Sequence, residues 1–183
     1  ANLVLVSRET DQENRSLAYT HKSDAPQMAT IDREGRMLAV GMANDQLTMA
    51  RYRDGVLDSS YGHDGTTAIP AKDRSLKVMS MSVDQTGKTV LVGKRFDLNN
   101  SFEGYFLARI KSNGALDPNF GETGVAWIDL PAKYELSDKI TISESGRIIA
   151  TATSGDVVRR FAVIRFDQRG ALDATFGEQG IAS

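Results

Sequence analysis

Three aspartates recur in one context: Asp58, Asp117 and Asp173 each follow a leucine and precede, by three residues, an aromatic residue and a glycine. A carboxylate could serve as an acid, a base or a metal ligand. A group copied in every unit points instead to a structural task, because an aspartate ahead of a turn accepts backbone N–H bonds and fixes the chain. Arg51, Arg109 and Arg165 recur just upstream and are expected to tie strand to linker, with those aspartates as their partners. The alternative for the arginines is a basic ring along a central channel, facing an anionic ligand.

The remaining reactive side chains are few. His21 and His63 occupy non-equivalent places, and where His63 stands the other copies carry Glu122 and Glu178, so both read as incidental rather than catalytic or metal-binding. Gly87-Lys88-Thr89 resembles the end of a phosphate-binding loop, but the upstream glycine such a loop needs is replaced by Ser82. Neither a Gly-x-Ser-x-Gly elbow nor a His-Glu-x-x-His pair is present. Asp97, Asn99, Asn100 and Glu103 offer oxygen ligands, at a spacing that matches no calcium loop. All methionines lie between Met28 and Met81, and Met79 and Met81 read as core filling on one face of a strand. No catalytic residue, metal site or cofactor is assigned.

Residues that break the repetition are the better candidates for binding. Trp127 has no aromatic counterpart in the other units and offers a flat apolar face to a sugar or a protein. With it stand Arg95, Asp97, Asn99 and Arg159 in variable loops, taken as Asn44–Gln46, Arg95–Gly104 and Ser154–Arg160. Composition narrows the partners. The 183 residues carry 22 basic against 24 acidic side chains, so neither a nucleic-acid footprint nor an anionic-membrane binder is expected. No apolar run is long enough for a membrane helix, and the absence of cysteine removes disulfides and thiolate chemistry.

The elements that position these residues come from a repeat. Met49–Gly65, Leu107–Gly124 and Val163–Gly180 can be superposed, and their Leu-Asp pairs stand roughly sixty residues apart. Upstream, Ile31–Gly41 matches Val83–Gly93 and Ile142–Ala152. Every glycine except Gly104 and Gly155 falls on a repeat position. The units divide as 26–70, 71–131 and 132–183, preceded by a partial unit at 1–25 that resembles half a repeat. Within the middle unit strands are expected near Val78–Val83, Thr89–Gly93, Tyr105–Ile110 and Val125–Asp129, with a polar loop over Lys94–Gly104. Short polar turns ending in glycine between β-branched runs imply antiparallel neighbours, and helical periodicity is absent.

The second strands, such as Met37-Leu-Ala-Val40 and Val90-Leu-Val92, are continuously apolar, so both faces of each sheet should be covered. The expected fold is therefore all-β: antiparallel four-stranded repeats stacked as β-propeller blades. The alternative is a β-trefoil, which would enclose one interior and favour alternating strands.

The pattern Arg-apolar, polar turn with glycine, Leu-Asp-x-x-Phe/Tyr-Gly-x-x-Gly, preceded by Gly-Arg/Lys-apolar-apolar, resembles the delta-60 repeat family. The resemblance implies a β-propeller-like module of large bacterial secreted or surface proteins, extracellular or periplasmic, with no established general activity. Tyr61 in place of phenylalanine and the shortened Arg53-Asp54 turn are departures. Three and a half blades are fewer than a propeller normally uses. The expectation is a binding or scaffolding module that completes a ring by self-association, most simply as a dimer, or as part of a longer propeller. A lectin-like glycan binder and a channel-mouth enzyme are the competing readings.

Overall fold

The computed structural model describes residues 25–155 and 158–183. The partial unit at 1–25 and His21 lie almost wholly outside the described residues. No helix occurs among the described residues, which form three antiparallel sheets. The first contains β1 (Ala25–Ile31), β2 (Met37–Ala43), β3 (Gln46–Arg53), the two-residue β4 (Val56–Leu57) and β5 (Thr66–Ile69). The second runs β6 (Ser75–Val83), β7 (Thr89–Phe96), β8 (Phe102–Ile110), β9 (Val125–Ile128), and the third β10 (Tyr134–Ile142), β11 (Ile148–Ser154), β12 (Arg160–Phe166), β13 (Ile181–Ala182). Each sheet is a meander in sequence order, with β4 a short pairing at the turn that follows β3.

The sheets stack face to face, and neighbours approach closest along their first strands, β1 to β6 and β6 to β10. Two cores result. Leu38, Val40, Met49 and Tyr61 of the first sheet meet Leu91, Phe106 and Ile110 of the second. The opposite face of the second sheet, with Val90, Val92, Tyr105 and Leu107, meets Ile148, Ala150, Ile164 and Phe166 of the third. Each large side chain so buried contributes about 1.5–3 kcal/mol of gross hydrophobic stabilisation. Cores between sheets, rather than inside one barrel, exclude the trefoil alternative.

Burial along the second strands follows the stacking. Val90, Leu91 and Val92 are all buried, since β7 has a sheet on either side, whereas in β11 burial alternates and Ile149, Thr151 and Thr153 are partly exposed. The first strands each carry a register shift, between Pro26 and Met28, Val78 and Ser80, and Leu136 and Ile140. The extra residue corrects the methionine reading: Met79 packs into the core with the third sheet and Met81 into the core with the first. The polar loop of the second unit is also shorter than expected, because β7 continues to Phe96 and β8 begins at Phe102.

Candidate functional site

The recurrent residues build the joint between sheets. Arg51 Nε donates to Asp58 Oδ2 at 2.9 Å, Arg109 Nε to Asp117 Oδ2 at 2.9 Å, and Arg165 Nε to Asp173 Oδ2 at 2.8 Å. In all three units the guanidinium carbon lies 4.5 Å from the ring centre of the linker aromatic: Tyr61, Phe120 or Phe176. The linker closes back on the third strand through Asp58, Asp117 and Asp173 N–H groups, which donate to Arg51, Arg109 and Arg165 carbonyls. These arginines sit on third strands, away from the first strands along which the sheets approach.

The other carboxylate oxygen organises the turn. Asp58 Oδ1 accepts from the Ser60 hydroxyl at 2.6 Å and the Ser60 N–H, and Asp173 Oδ1 accepts likewise from Thr175. The hydroxyl of Ser60, opposed by partial burial and aided by Arg51, holds Asp58 down at about 2. The Thr175 hydroxyl, with Arg147 and Arg165, holds Asp173 at about 2 as well. Burial pushes the Tyr61 phenol well above its ordinary range. Carboxylates kept ionised and saturated with donors are poor proton donors near neutral pH.

Sequence reasoning missed the rest of the joint, where Arg51 and Arg109 reach the next sheet. Arg51 Nη1 donates to Ser112 O at 2.7 Å, and Arg109 Nη1 to Gln168 O at 2.6 Å. Beside them Gly62 N–H donates to Asn113 O and Gly121 N–H to Arg169 O, both at 2.9 Å. The receiving turns end in Gly114 and Gly170, with φ of 86° and 85°. A Cβ on Gly170 would lie 2.6 Å from Phe120 Cζ, so this close approach requires glycine. The turn glycine, present in every unit, was the available signal.

The variable residues occupy other surfaces. Asp97 accepts from the Asn99 and Ser101 N–H groups, so its carboxylate is engaged in its own turn. Arg95 Nη2 bonds Asp129 at 2.5 Å, and its guanidinium lies 5.6 Å from the Trp127 ring centre. Trp127, half-buried, borders a groove of about 250 Å³ with Glu122, Arg169 and Gly170, and its buried Nε1–H has no acceptor among the described residues. Arg159 faces Glu135 at 3.7 Å, and Lys94 from the second sheet bonds the same Glu135 at 3.1 Å. Large apolar side chains are exposed beside the variable loops: Leu98, Phe102, Val158 and Phe161. No cluster of three or more potential metal ligands occurs among the described residues.

Residues 85–120 and 144–176 match the family model of the domain of unknown function (DUF5122) beta-propeller. Each match begins in the hairpin between the first two strands of a sheet and ends on the linker aromatic, Phe120 or Phe176. The sheets are β-propeller blades. A search of the curated proteins finds no match to the chain. Within the blade repeat, arginine, aspartate, linker aromatic and turn glycine are the parts that fasten one blade to the next.

Proposed function

We propose that this chain is a non-catalytic binding and scaffolding module, an arc of propeller blades that is completed to a ring by association at its last blade. One observation carries the reading. Phe161 is 70% exposed, whereas Tyr105, at the equivalent position of the second blade, is 3% exposed beneath the third. Val163, two residues from Phe161 on the same face, and Ile149 are partly exposed where their counterparts Leu107 and Val90 are buried in the second blade. An apolar sheet face of this kind favours association. A second copy of the chain is the proposed partner.

The delta-60 resemblance supports placing the module in a bacterial secreted or surface protein. Its recognition surface is formed around the exposed Leu98 and Phe102, at the β7–β8 loop, and Val158, ahead of β12. Glycan binding at Trp127 is a second reading, favoured by its half-buried ring on the border of the groove; glycan-array binding abolished by Trp127→Ala would support it. The main reading is tested by sedimentation velocity from low to high micromolar concentration. Reversible association that Phe161→Asp removes is expected. A concentration-independent monomer overturns association at the last blade.

A further inference from the structure

We infer that Arg165, Phe176 and Gly177 form a ready-made socket for the glycine-ended hairpin turn of a fourth blade of this repeat. The inference rests on the reading of the last blade as an association surface and names what that surface takes. Two filled copies of the socket define its occupant. In each, the arginine Nη1 and the glycine N–H following the aromatic donate to successive carbonyls of the next blade's turn: Ser112 and Asn113, then Gln168 and Arg169.

The third copy is assembled to the same pattern. Arg165 is held by Asp173 and lies 4.5 Å over Phe176, and Gly177 has the same φ of 52° as Gly121. Among the described residues, however, no carbonyl accepts from Arg165 Nη1 or from Gly177 N–H. Two aimed donors, fixed by the surrounding structure, require two carbonyl oxygens spaced as adjacent residues of a turn. The aromatic ring beneath them requires a turn residue without a Cβ. Two polar residues followed by glycine, on a blade whose inner face is as small and aliphatic as Ala150, Ala162 and Ile164, meet both conditions.

The chain's own unengaged turn, Arg53-Asp54-Gly55, fits less well. Gly55 has open space where a Cβ would stand, unlike Gly114 and Gly170. Its turn is one residue shorter, with Arg51 and Asp58 seven apart against eight in the other units. The outer face of its sheet is already buried at Ala39, Ala50 and Tyr52. The occupant is therefore a further blade in register with the second and third.

The test appends a second copy of residues 132–183 after Ser183 and follows amide hydrogen exchange by NMR. In the parent chain Gly177 should exchange fast while Gly62 and Gly121 are protected. In the extended chain Gly177 should slow by about a hundredfold or more, as an amide closed inside a cooperative unit does. Replacing the appended turn glycine, the counterpart of Gly170, by valine should restore fast exchange at Gly177 and leave Gly121 protected. An appended unit that stays unfolded, or one that folds while Gly177 exchanges as before, overturns the socket. Protection of Gly177 already present in the dilute parent overturns it too. Failure of the wider reading is seen separately, as an unextended chain that does not associate.

Discussion

Arg109 Nη1 of the second blade donates to Gln168 O of the third at 2.6 Å, while its Nε holds Asp117 at 2.9 Å. One side chain thus fixes its own blade's linker and grips its neighbour. Arg109→Ala removes both bonds, the stacking on Phe120 and the partner of the buried Asp117 carboxylate. A loss of about 3–5 kcal/mol is expected, the range for breaking a buried pair from one side. Arg165→Ala, which lacks the grip on a further blade, should cost no more than about 1–2 kcal/mol. Urea unfolding of the two variants checks the ordering.

The turn glycines give a second contrast. Gly170 and Gly55 both have positive φ, but a Cβ at Gly170 strikes Phe120 and Ala126 whereas at Gly55 it meets nothing. Gly55→Ala should cost about 1 kcal/mol, from backbone strain alone. Gly170→Ala should cost about 3 kcal/mol, because the blade joint must open to admit the methyl group. Thermal or urea denaturation of both variants measures the difference.

The architecture was legible where side-chain type is forced. Glycines at fixed offsets gave the units, and the unbroken Val90-Leu91-Val92 run gave a sheet covered on both faces. Met79 and Met81 fill core as their type implies, but on opposite faces rather than one, because a bulge between Val78 and Ser80 inserts a residue and reverses the parity on which face-reading depends. The grip of Arg51 and Arg109 on the next blade was illegible for another reason. Its acceptors are backbone carbonyls, identical at every residue, so Ser112 and Gln168 leave no mark in the sequence. The loop after β7 was overestimated because Lys94 and Arg95 are polar yet remain in the strand, paired with Tyr105 and Gly104.

A bulge-side amide is satisfied differently at the two joints. Val78 N–H donates to Gln27 Oε1 at 2.7 Å, and Leu136 N–H to the Tyr105 hydroxyl at 3.2 Å. Tyr105→Phe leaves the second amide buried without an acceptor. The expected loss is about 1–2 kcal/mol, with faster hydrogen exchange at Leu136 and little change at Val78.

Acid should weaken the linkers. Asp58 and Asp173 are held at about 2 in the folded chain, below the ordinary aspartate value of 3.8. The stability they contribute is therefore complete above about pH 4 and is lost as pH falls through 4 towards 2. Unfolding free energies measured by urea between pH 5 and pH 2 should decline in that window. The double variant Asp58→Asn with Asp173→Asn should show a shallower decline.

Among the described residues one joint is built three times, filled twice and open at the last blade. Its most direct test is residue-resolved hydrogen exchange of the Gly62, Gly121 and Gly177 amides in the dilute, unextended chain. Protection of Gly62 and Gly121 with rapid exchange at Gly177 is the predicted result. Equal exchange at all three positions, fast or slow, would show that the last joint does not differ from the first two.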